Sequence, residues 1–188
     1  MFDYRKSALF LTLFLVYSAA HADGSLCIFT RGAPASPLAN LENPTEAALK
    51  DVKDVMTYLG YDETIPIYAG AVANAAAFPA QGGRGPFIVY NPDFLTRLFD
   101  INDWAATSVI AHEIGHHIAI DADNPSSHRR ELAADEVSGC AMARMGASLE
   151  DATAAMLKGL PTNSGSPTHP GTRDRVRVIT TAYNRCKE

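Results

Sequence analysis

The sequence predicts a mainly helical α+β fold in which five helices accompany a small antiparallel sheet. In several stretches, apolar residues recur at a spacing of three to four between a capping residue and a terminating glycine or loop. One stretch is instead rich in β-forming residues, glycine and proline. The chain has 188 residues, of which 47% are hydrophobic and 20% charged, as in an ordinary globular protein. This length favours one domain rather than two.

The N-terminus has the layout of a secretory signal peptide. Arg5 and Lys6 precede an almost purely apolar stretch at residues 7–20, which ends in small residues. The stretch is shorter than the about 18 residues that a membrane-spanning helix needs. We therefore expect residues 1–22 to be a cleaved signal peptide and residues 23–188 to be an exported domain without a membrane span. A short uncleaved anchor is the alternative.

The first predicted helix covers residues 43–59. Asn43 is predicted to cap it, Pro44 suits the first helical position, and Glu46 can complete a capping box. Gly60 is predicted to end the helix. Four apolar residues at helical spacing predict that one face packs against the core: Val52, Val55, Met56 and Leu59.

Residues 65–90 are predicted to form the antiparallel sheet. Residues 65–68 read as a short strand, which Pro66 places at an edge, because proline cannot donate a hydrogen bond to a neighbouring strand. Residues 87–90 read as another strand. The alanine-rich segment 71–78 is compatible with either a helix or a strand. The glycine-rich segment after it lacks the strand-then-helix context of a nucleotide-binding loop, so it is predicted to be a turn.

Four further helices are predicted in the second half of the chain. They cover residues 102–120, residues 127–145, a short stretch after residue 148, and residues 170–185. Asn102 or Asp103 is predicted to cap the first of them, and Ser148 to cap the short one. Gly146 is predicted to end the longest.

The helix at 102–120 carries a pattern that is typical of a zinc site. His112 and His116 are four residues apart, so their imidazoles project from one face of the helix, one turn apart. This spacing suits two bonds of about 2.0–2.1 Å to one zinc ion, and Glu113 can reach a water at that ion without being a ligand. The helix is otherwise apolar, and a buried polar trio is unfavourable unless it is paired or metal-bound. A solvated charge pattern on an ordinary helix is the disfavoured alternative.

A third ligand is predicted on the next helix. The loop between the two helices is short, so they are expected to pack antiparallel. His116 lies four residues before the end of one helix and Glu131 four residues after the start of the other, which puts both roughly 6 Å from the turn. Two histidines and one glutamate leave the fourth zinc position open for water, as a catalytic site requires. Asp135, one turn beyond Glu131, is placed to accept the free ring N–H of a ligand histidine, and His112 is the expected donor.

Three segments occur in an order that is typical of one peptidase family: His112-Glu113-Ile114-Gly115-His116, Glu131-Leu132-Ala133-Ala134-Asp135, and Thr168-His169-Pro170 followed by Arg175. Over residues 74–180 the chain resembles the M48 family of gluzincin peptidases. The resemblance implies a zincin-like domain whose small sheet lies beside the active-site helix. It also implies one zinc ion, bound by His112, His116 and Glu131, with Glu113 as the general base.

The resemblance assigns roles to three further parts of the chain. His169 would lie at the cleft, where it stabilises the oxyanion or closes the fourth zinc position; the alternative is that it caps the last helix. Arg175 would be a partner of the zinc site. Asn74-Ala75 resembles an element that the family carries on an edge strand beside the cleft. The interval between the second and third ligands is shorter than in most of the family and is similar to that of compact, soluble minigluzincins.

The function predicted from these residues is hydrolysis of protein or peptide substrates by an exported zinc-dependent endopeptidase, in the periplasm or otherwise secreted. The substrate would lie extended along a sheet edge, either at residues 87–90 or near Asn74. Two alternatives stay open: a zinc-containing binding or chaperone-like module with little turnover, and a purely structural zinc site. The net charge of -5 argues against nucleic-acid binding. The sequence does not predict an oligomeric state.

The exported part contains three cysteines, Cys27, Cys140 and Cys186. Export would permit one disulfide bond and leave one thiol. All three pairings are compatible with the sequence. Cys27 and Cys186 lie near the two termini, which are often close together in a domain, and this weakly favours their pairing.

Overall fold

The computed structural model describes residues 40–119, 127–160 and 164–187. Within these ranges the chain forms six α-helices, one π-helical turn and three strands. In chain order these are α1 (Glu46–Leu59), β1 (Ile67–Ala69), β2 (Ala75–Phe78), β3 (Phe87–Tyr90), α2 (Pro92–Phe99), α3 (Ala105–Ile118), α4 (Ser127–Met145), α5 (Leu149–Ala154), the π-helical turn (Ala155–Gly159) and α6 (Thr172–Cys186). The prediction of a mainly helical α+β fold with a small sheet is confirmed.

Residues 1–22, which are predicted to be a signal peptide, and Cys27 lie outside the described residues, so the signal peptide stays a prediction. In the part of the chain that the structure describes, no helix is both long enough and apolar enough to cross a membrane.

The three strands form a mixed sheet in the order β1-β3-β2. β2 is antiparallel to β3, as predicted, and pairs Ala75 with Tyr90. β1 is parallel to β3, with Ile67 opposite Ile88, which corrects the prediction of a wholly antiparallel sheet. Parallel neighbours need a connection that crosses over, and here the segment that contains β2 provides it. An apolar run identifies a strand but not its neighbours, so the sequence could not show this order.

Local capping moves two helix starts away from their predicted positions. Thr45, not Asn43, caps α1, because its side-chain oxygen accepts the N–H of Ala48 at 3.2 Å. α3 begins later than predicted, after Trp104. The side chain of Asn102 accepts the N–H of Trp104 at 3.0 Å and so forms a turn ahead of the helix.

α2 was not predicted, although its start is marked in the sequence. Asn91 caps it by accepting the N–H of Phe94 at 3.2 Å, and Pro92 is its first residue. The Asn-Pro pair was interpreted only as the end of β3. A capping residue followed by proline is also a signal for a helix start, because proline has no N–H to leave unsatisfied there.

Two glycines bring the helices of the domain close together. A Cβ atom at Gly115 of α3 would lie 2.7 Å from the Cα atom of Ala134 in α4. A Cβ atom at Gly139 of α4 would lie 2.5 Å from the carbonyl oxygen of Ile179 in α6. Any larger residue would push these backbones apart, so glycine at both positions lets the three helices approach closely. The candidate site is built from these same three helices.

The structure forms a disulfide bond between Cys140 and Cys186, whose Cα atoms are 5.1 Å apart. The preference for pairing Cys27 with Cys186 is therefore wrong. α4 and α6 cross closely at Gly139, and this crossing places the neighbouring Cys140 beside the C-terminal end of α6. The bond joins two helices that both carry residues of the candidate site.

Candidate metal centre

All seven residues singled out in the sequence lie in one buried cluster. α3 supplies His112, Glu113 and His116, α4 supplies Glu131 and Asp135, the loop before α6 supplies His169, and α6 supplies Arg175. None of these side chains is more than 9% exposed. Burying so many titratable groups is strongly unfavourable unless they pair with one another or bind an ion.

Three of these residues direct their ligand atoms at a common point. The Nε2 atoms of His112 and His116 each lie 3.5 Å from an oxygen of Glu131, and one ligand atom from each of the three residues lies within 4.8 Å of the others. Ligand atoms of a tetrahedral zinc ion are roughly 3.3 Å apart, given bonds of about 2.0–2.2 Å. Within the described residues, the buried Nε2 atom of His116 has no hydrogen-bond partner. The donor set therefore fits a zinc ion, and the two 3.5 Å distances are close to this ligand spacing.

His169 borders the same group from the loop that precedes α6. Its Nε2 atom lies 3.6 Å from Oε1 of Glu131, and its Nδ1 atom lies 2.8 Å from the hydroxyl of Thr168. Gly171 occupies the cap position of α6, so the alternative in which His169 caps this helix is wrong. Burial lowers the pKa of His169, which keeps the imidazole neutral and able to share an electron pair.

Asp135 and Arg175 hold His112 in place. The Nδ1 atom of His112 lies 2.9 Å from Oδ1 of Asp135, which is the contact expected from the sequence. Arg175 donates to both carboxylate oxygens of Asp135, from Nε at 2.9 Å and from Nη2 at 2.8 Å. A carboxylate on Nδ1 fixes the ring tautomer in which Nε2 carries the free electron pair, and this is the form that binds a metal.

Glu113 lies beside the three ligand residues without joining them. The backbone of Ala77 in β2 donates a hydrogen bond to it, whereas its Oε2 atom is buried and has no hydrogen-bond partner within the described residues. Burial raises the pKa of Glu113 to about 7, against the lowering effect of the charge on His112. A carboxyl group whose pKa lies near 7 can both accept and donate a proton at neutral pH.

Two histidines of the described residues lie outside the cluster and have structural contacts instead. His117 donates from Nε2 to the carbonyl oxygen of Phe87 at 3.2 Å, which ties α3 to the sheet. His128 donates from Nε2 to the carbonyl oxygen of Ser166 at 2.6 Å, which ties the start of α4 to the loop that carries His169. Both contacts position parts of the site without placing another ligand in it.

β2 is the strand whose outer edge is open beside Glu113. β3 is the central strand and is paired on both sides, so the proposal that a substrate pairs along residues 87–90 is wrong. Glu42 occupies the outer side of β1 through two backbone hydrogen bonds with Ala69, at 2.9 and 3.1 Å. Within the described residues no strand pairs with the outer edge of β2, which begins directly after Asn74.

The apolar side of the site was not predicted from the sequence. A cavity opens beside His112 and Glu113, and it is lined on its far side by residues that include Phe94 of α2 and Met156 of the π-helical turn. The cap signal at Asn91 could have located α2, and with it Phe94. No local sequence signal predicts that the π-helical turn lies near α3, because only tertiary packing brings the two segments together.

Metal binding at this centre is expected to weaken as the pH falls. Burial and the charge of Arg175 lower the pKa of His112, but Asp135 and Glu131 outweigh them and raise it to about 9 in the metal-free site. A ligand imidazole must be neutral, so an incoming ion displaces a proton from His112 at neutral pH. The apparent zinc affinity, measured by competition with a chelator, should rise by up to about tenfold per pH unit between about pH 6 and 9. A constant affinity over this range would contradict the protonation of His112.

Comparison of the chain with protein-family models, with curated protein sequences and with solved structures finds no match. A functional conclusion must therefore come from the geometry of the cluster and the chemistry of its residues.

Proposed function

We propose that this protein is an exported zinc-dependent endopeptidase of the gluzincin type, related to the M48 family. One observation carries the proposal: the Oε2 atom of Glu113, which has no hydrogen-bond partner among the described residues, is buried beside the His112–His116–Glu131 group. A buried oxygen without a hydrogen-bond partner destabilises a protein by about 1–3 kcal/mol, so we expect such an oxygen only where it has a function. Acting as the general base beside a hydrolytic metal ion is such a function.

Each residue of the cluster then has a role in peptide hydrolysis. His112, His116 and Glu131 would hold zinc, which supplies a Lewis acid that polarises the scissile carbonyl and lowers the pKa of water to about 7. Glu113 takes the proton of the attacking water and later delivers it to the leaving amine. The open edge of β2 can pair with the substrate backbone, so recognition there depends on an extended shape rather than on sequence.

A non-catalytic zinc module is the second candidate. It is favoured by His169, whose Nε2 atom lies close enough to Glu131 to complete a four-ligand site of the structural kind. A structural site, however, has no need of a buried glutamate beside it. The raised pKa and the unpaired oxygen of Glu113 therefore favour the peptidase over this alternative.

The proposal is tested by metal content and proteolysis of the purified protein. We expect one zinc ion per chain by elemental analysis, cleavage of casein, loss of cleavage after chelation, and recovery when zinc is added back. His116→Ala should lose both zinc and cleavage, whereas Glu136→Ala, which changes an exposed residue of α4 outside the cluster, should lose neither. A protein that binds zinc without cleaving would support the second candidate, and a protein that binds no zinc would contradict both.

A further inference from the structure

The loop before α6 folds around His169 and fixes the position of its ring. The backbone N–H of Ser166 donates to the carbonyl oxygen of His169 at 2.7 Å, and His128 ties the carbonyl oxygen of Ser166 to the start of α4 at 2.6 Å. His169 is 6% exposed, and its Nε2 atom lies 3.6 Å from Oε1 of Glu131. What this ring can do there depends on which of its two nitrogens carries the proton.

A neutral imidazole has two tautomers, and they would give His169 two different roles. With the proton on Nδ1, the Nε2 atom has an electron pair and can bind a metal ion; with the proton on Nε2, the same atom is a hydrogen-bond donor. The first tautomer would complete a zinc site with four protein ligands, as structural sites have. The second would leave three protein ligands and direct an N–H at whatever occupies the fourth position.

The hydroxyl group of Ser166 can act only as a donor to its neighbour Thr168. A hydroxyl group has one proton and two lone pairs. The oxygen of Ser166 accepts the N–H of His169 at 3.0 Å and the N–H of Thr168 at 3.3 Å, which uses both lone pairs. Its remaining contact, with Oγ1 of Thr168 at 3.3 Å, therefore requires the proton of Ser166.

The hydroxyl group of Thr168 in turn donates to His169. Its Oγ1 atom lies 2.8 Å from Nδ1 of His169, and it already accepts the proton of Ser166, so its own proton points to the ring. A ring nitrogen that accepts a hydrogen bond carries no proton, so the proton of the neutral imidazole is on Nε2. Glu131 favours the same arrangement, because the carboxylate oxygen that faces Nε2 attracts an N–H and repels an electron pair.

His169 and His112 are thus held in opposite tautomers by different partners. A carboxylate oxygen of Asp135 lies 2.9 Å from Nδ1 of His112 and, when that ring is neutral, keeps the proton on Nδ1 and the electron pair on Nε2. Thr168 presents a proton to Nδ1 of His169 and has the reverse effect. The chemistry of the partner on Nδ1 therefore makes one histidine a metal ligand and the other a donor.

We propose that Ser166 and Thr168 are positioning residues that hold the ring proton of His169 on Nε2, so that His169 is a hydrogen-bond donor at the centre and not a fourth zinc ligand. This inference rests on the proposed peptidase function and adds to it the means by which the fourth zinc position stays open. The N–H on Nε2 is available to a substrate oxygen, where it stabilises the negative charge that develops during hydrolysis.

Nuclear magnetic resonance of the zinc-loaded protein reads the tautomer directly. The Glu113→Gln protein is labelled with nitrogen-isotope histidine, so that the sample does not digest itself, and the signals of His169 are identified by their loss in a His169→Asn variant. Correlations between the ring carbon protons and the two ring nitrogens show which nitrogen is protonated. We expect the proton on Nε2 of His169. A proton on Nδ1, with Nε2 bound to zinc, would overturn the proposal.

Variants of Thr168 test whether its hydroxyl group sets the tautomer. Thr168→Val keeps the shape of the side chain but removes the donor, and it should raise the ratio of the Nδ1-protonated to the Nε2-protonated form by about two- to tenfold, the usual effect of one hydrogen bond. Thr168→Ser keeps the hydroxyl group and should retain the wild-type ratio. Thr181→Val, on the exposed side of α6, should also leave it unchanged. An unchanged ratio in Thr168→Val would show that Thr168 is not a positioning residue.

Kinetics of the active protein separate failure of this inference from failure of the proposed function. Thr168→Val should lower kcat for casein cleavage by about two- to tenfold with little change in KM or zinc content, because a donor to developing charge acts mainly in the transition state. If the proton were on Nε2 and the protein cleaved nothing, the tautomer would stand and the peptidase proposal would fall. If the protein cleaved casein with Nε2 of His169 bound to zinc, this inference alone would fall.

Discussion

Replacing Glu113 by glutamine is expected to reduce peptide hydrolysis by about 10²–10⁴-fold without changing the zinc content. The amide keeps the size of the carboxyl group but cannot accept the proton of the attacking water. Glu113 contributes no atom to the group formed by His112, His116 and Glu131, so the affinity for zinc should depend little on it. Casein cleavage and elemental analysis of both proteins measure the two quantities independently.

The same substitution is expected to leave the protein at least as stable as the wild type. Burial raises the pKa of Glu113 from 4.5 to about 7, so folding is opposed by ionisation of this group as the pH rises above its unfolded value of about 4.5. Glutamine carries no charge and removes that opposition. At pH 8 we therefore expect the midpoint of thermal unfolding to be unchanged or higher, which would show that Glu113 is kept for function and not for stability.

Two glutamates serve as controls for this experiment. Glu131→Gln makes the same chemical change at a ligand and should lose zinc as well as activity. Glu136→Gln makes it on the exposed side of α4, where Glu136 lies 3.8 Å from Arg185, and should change neither property. If Glu113→Gln cleaved casein at the wild-type rate, Glu113 would not be the base. If it lost zinc, Glu113 would have to be counted among the ligands.

The histidine pair of the site could be predicted from the sequence because it depends on one local rule. Four residues correspond to about one turn of an α-helix, so His112 and His116 share a face wherever α3 lies in the fold. The ring centroids are in fact 4.7 Å apart. The prediction needed only the existence of the helix, and a long apolar stretch with a clear period indicates that reliably.

Predicting the positions of Glu131 and Asp135 required one inference about tertiary structure, and the sequence supports that inference. A short connection forces two consecutive helices to be antiparallel neighbours, which brings the start of α4 beside the end of α3. Their close approach depends on Gly115, where any side chain would collide with the backbone of Ala134. The glycine within the His-Glu-x-x-His segment is therefore explained by packing between the two helices rather than by the chemistry of the site.

Features that depend on long-range packing could not be predicted from the sequence. The parallel pairing of β1 with β3 is set by which strand enters the middle of the sheet, and the residues of β1 are equally suited to either direction. The bond between Cys140 and Cys186 follows from the crossing of α4 and α6 at Gly139, which joins residues far apart in the chain. The cavity beside Glu113 combines five helices, the strand β2 and the π-helical turn, and no single segment of sequence contains it.

Replacing Arg175 by methionine is expected to lower the free energy of unfolding of the metal-free protein by about 1–3 kcal/mol, because a buried carboxylate loses two charge-assisted hydrogen bonds. Arg175 is 5% exposed and Asp135 is 1% exposed, and they share two hydrogen bonds of 2.9 and 2.8 Å. Methionine fills similar space but donates no hydrogen bond, so Asp135 keeps only protonated His112 as its cationic partner, at 2.9 Å. Urea denaturation of the metal-free protein, with the disulfide bond intact, measures the change.

The size of this loss should depend on pH. Burial raises the pKa of Asp135, but the charge of Arg175 and its hydrogen bonds outweigh burial and hold it below the ordinary value of 3.8. An acid whose pKa is lowered by folding contributes stability above its unfolded pKa and loses that contribution as the pH falls through its folded pKa. The difference between the wild type and Arg175→Met should therefore be largest near pH 7 and should shrink below about pH 4.

Two further variants distinguish the buried ion pair from the packing of α6. Arg177 lies on the same helix but is exposed, with Asp174 at 3.8 Å, so Arg177→Met should change the unfolding free energy by less than about 0.5 kcal/mol. Adding Asp135→Asn to Arg175→Met removes the carboxylate that has lost its guanidinium partner and should restore part of the lost stability, because the penalty of a broken buried pair comes mainly from the charge left behind. Equal losses in Arg175→Met and Arg177→Met, or no recovery in the double variant, would assign the effect to helix packing. In that case Arg175 would act on His112 through its position on α6 rather than through its charge.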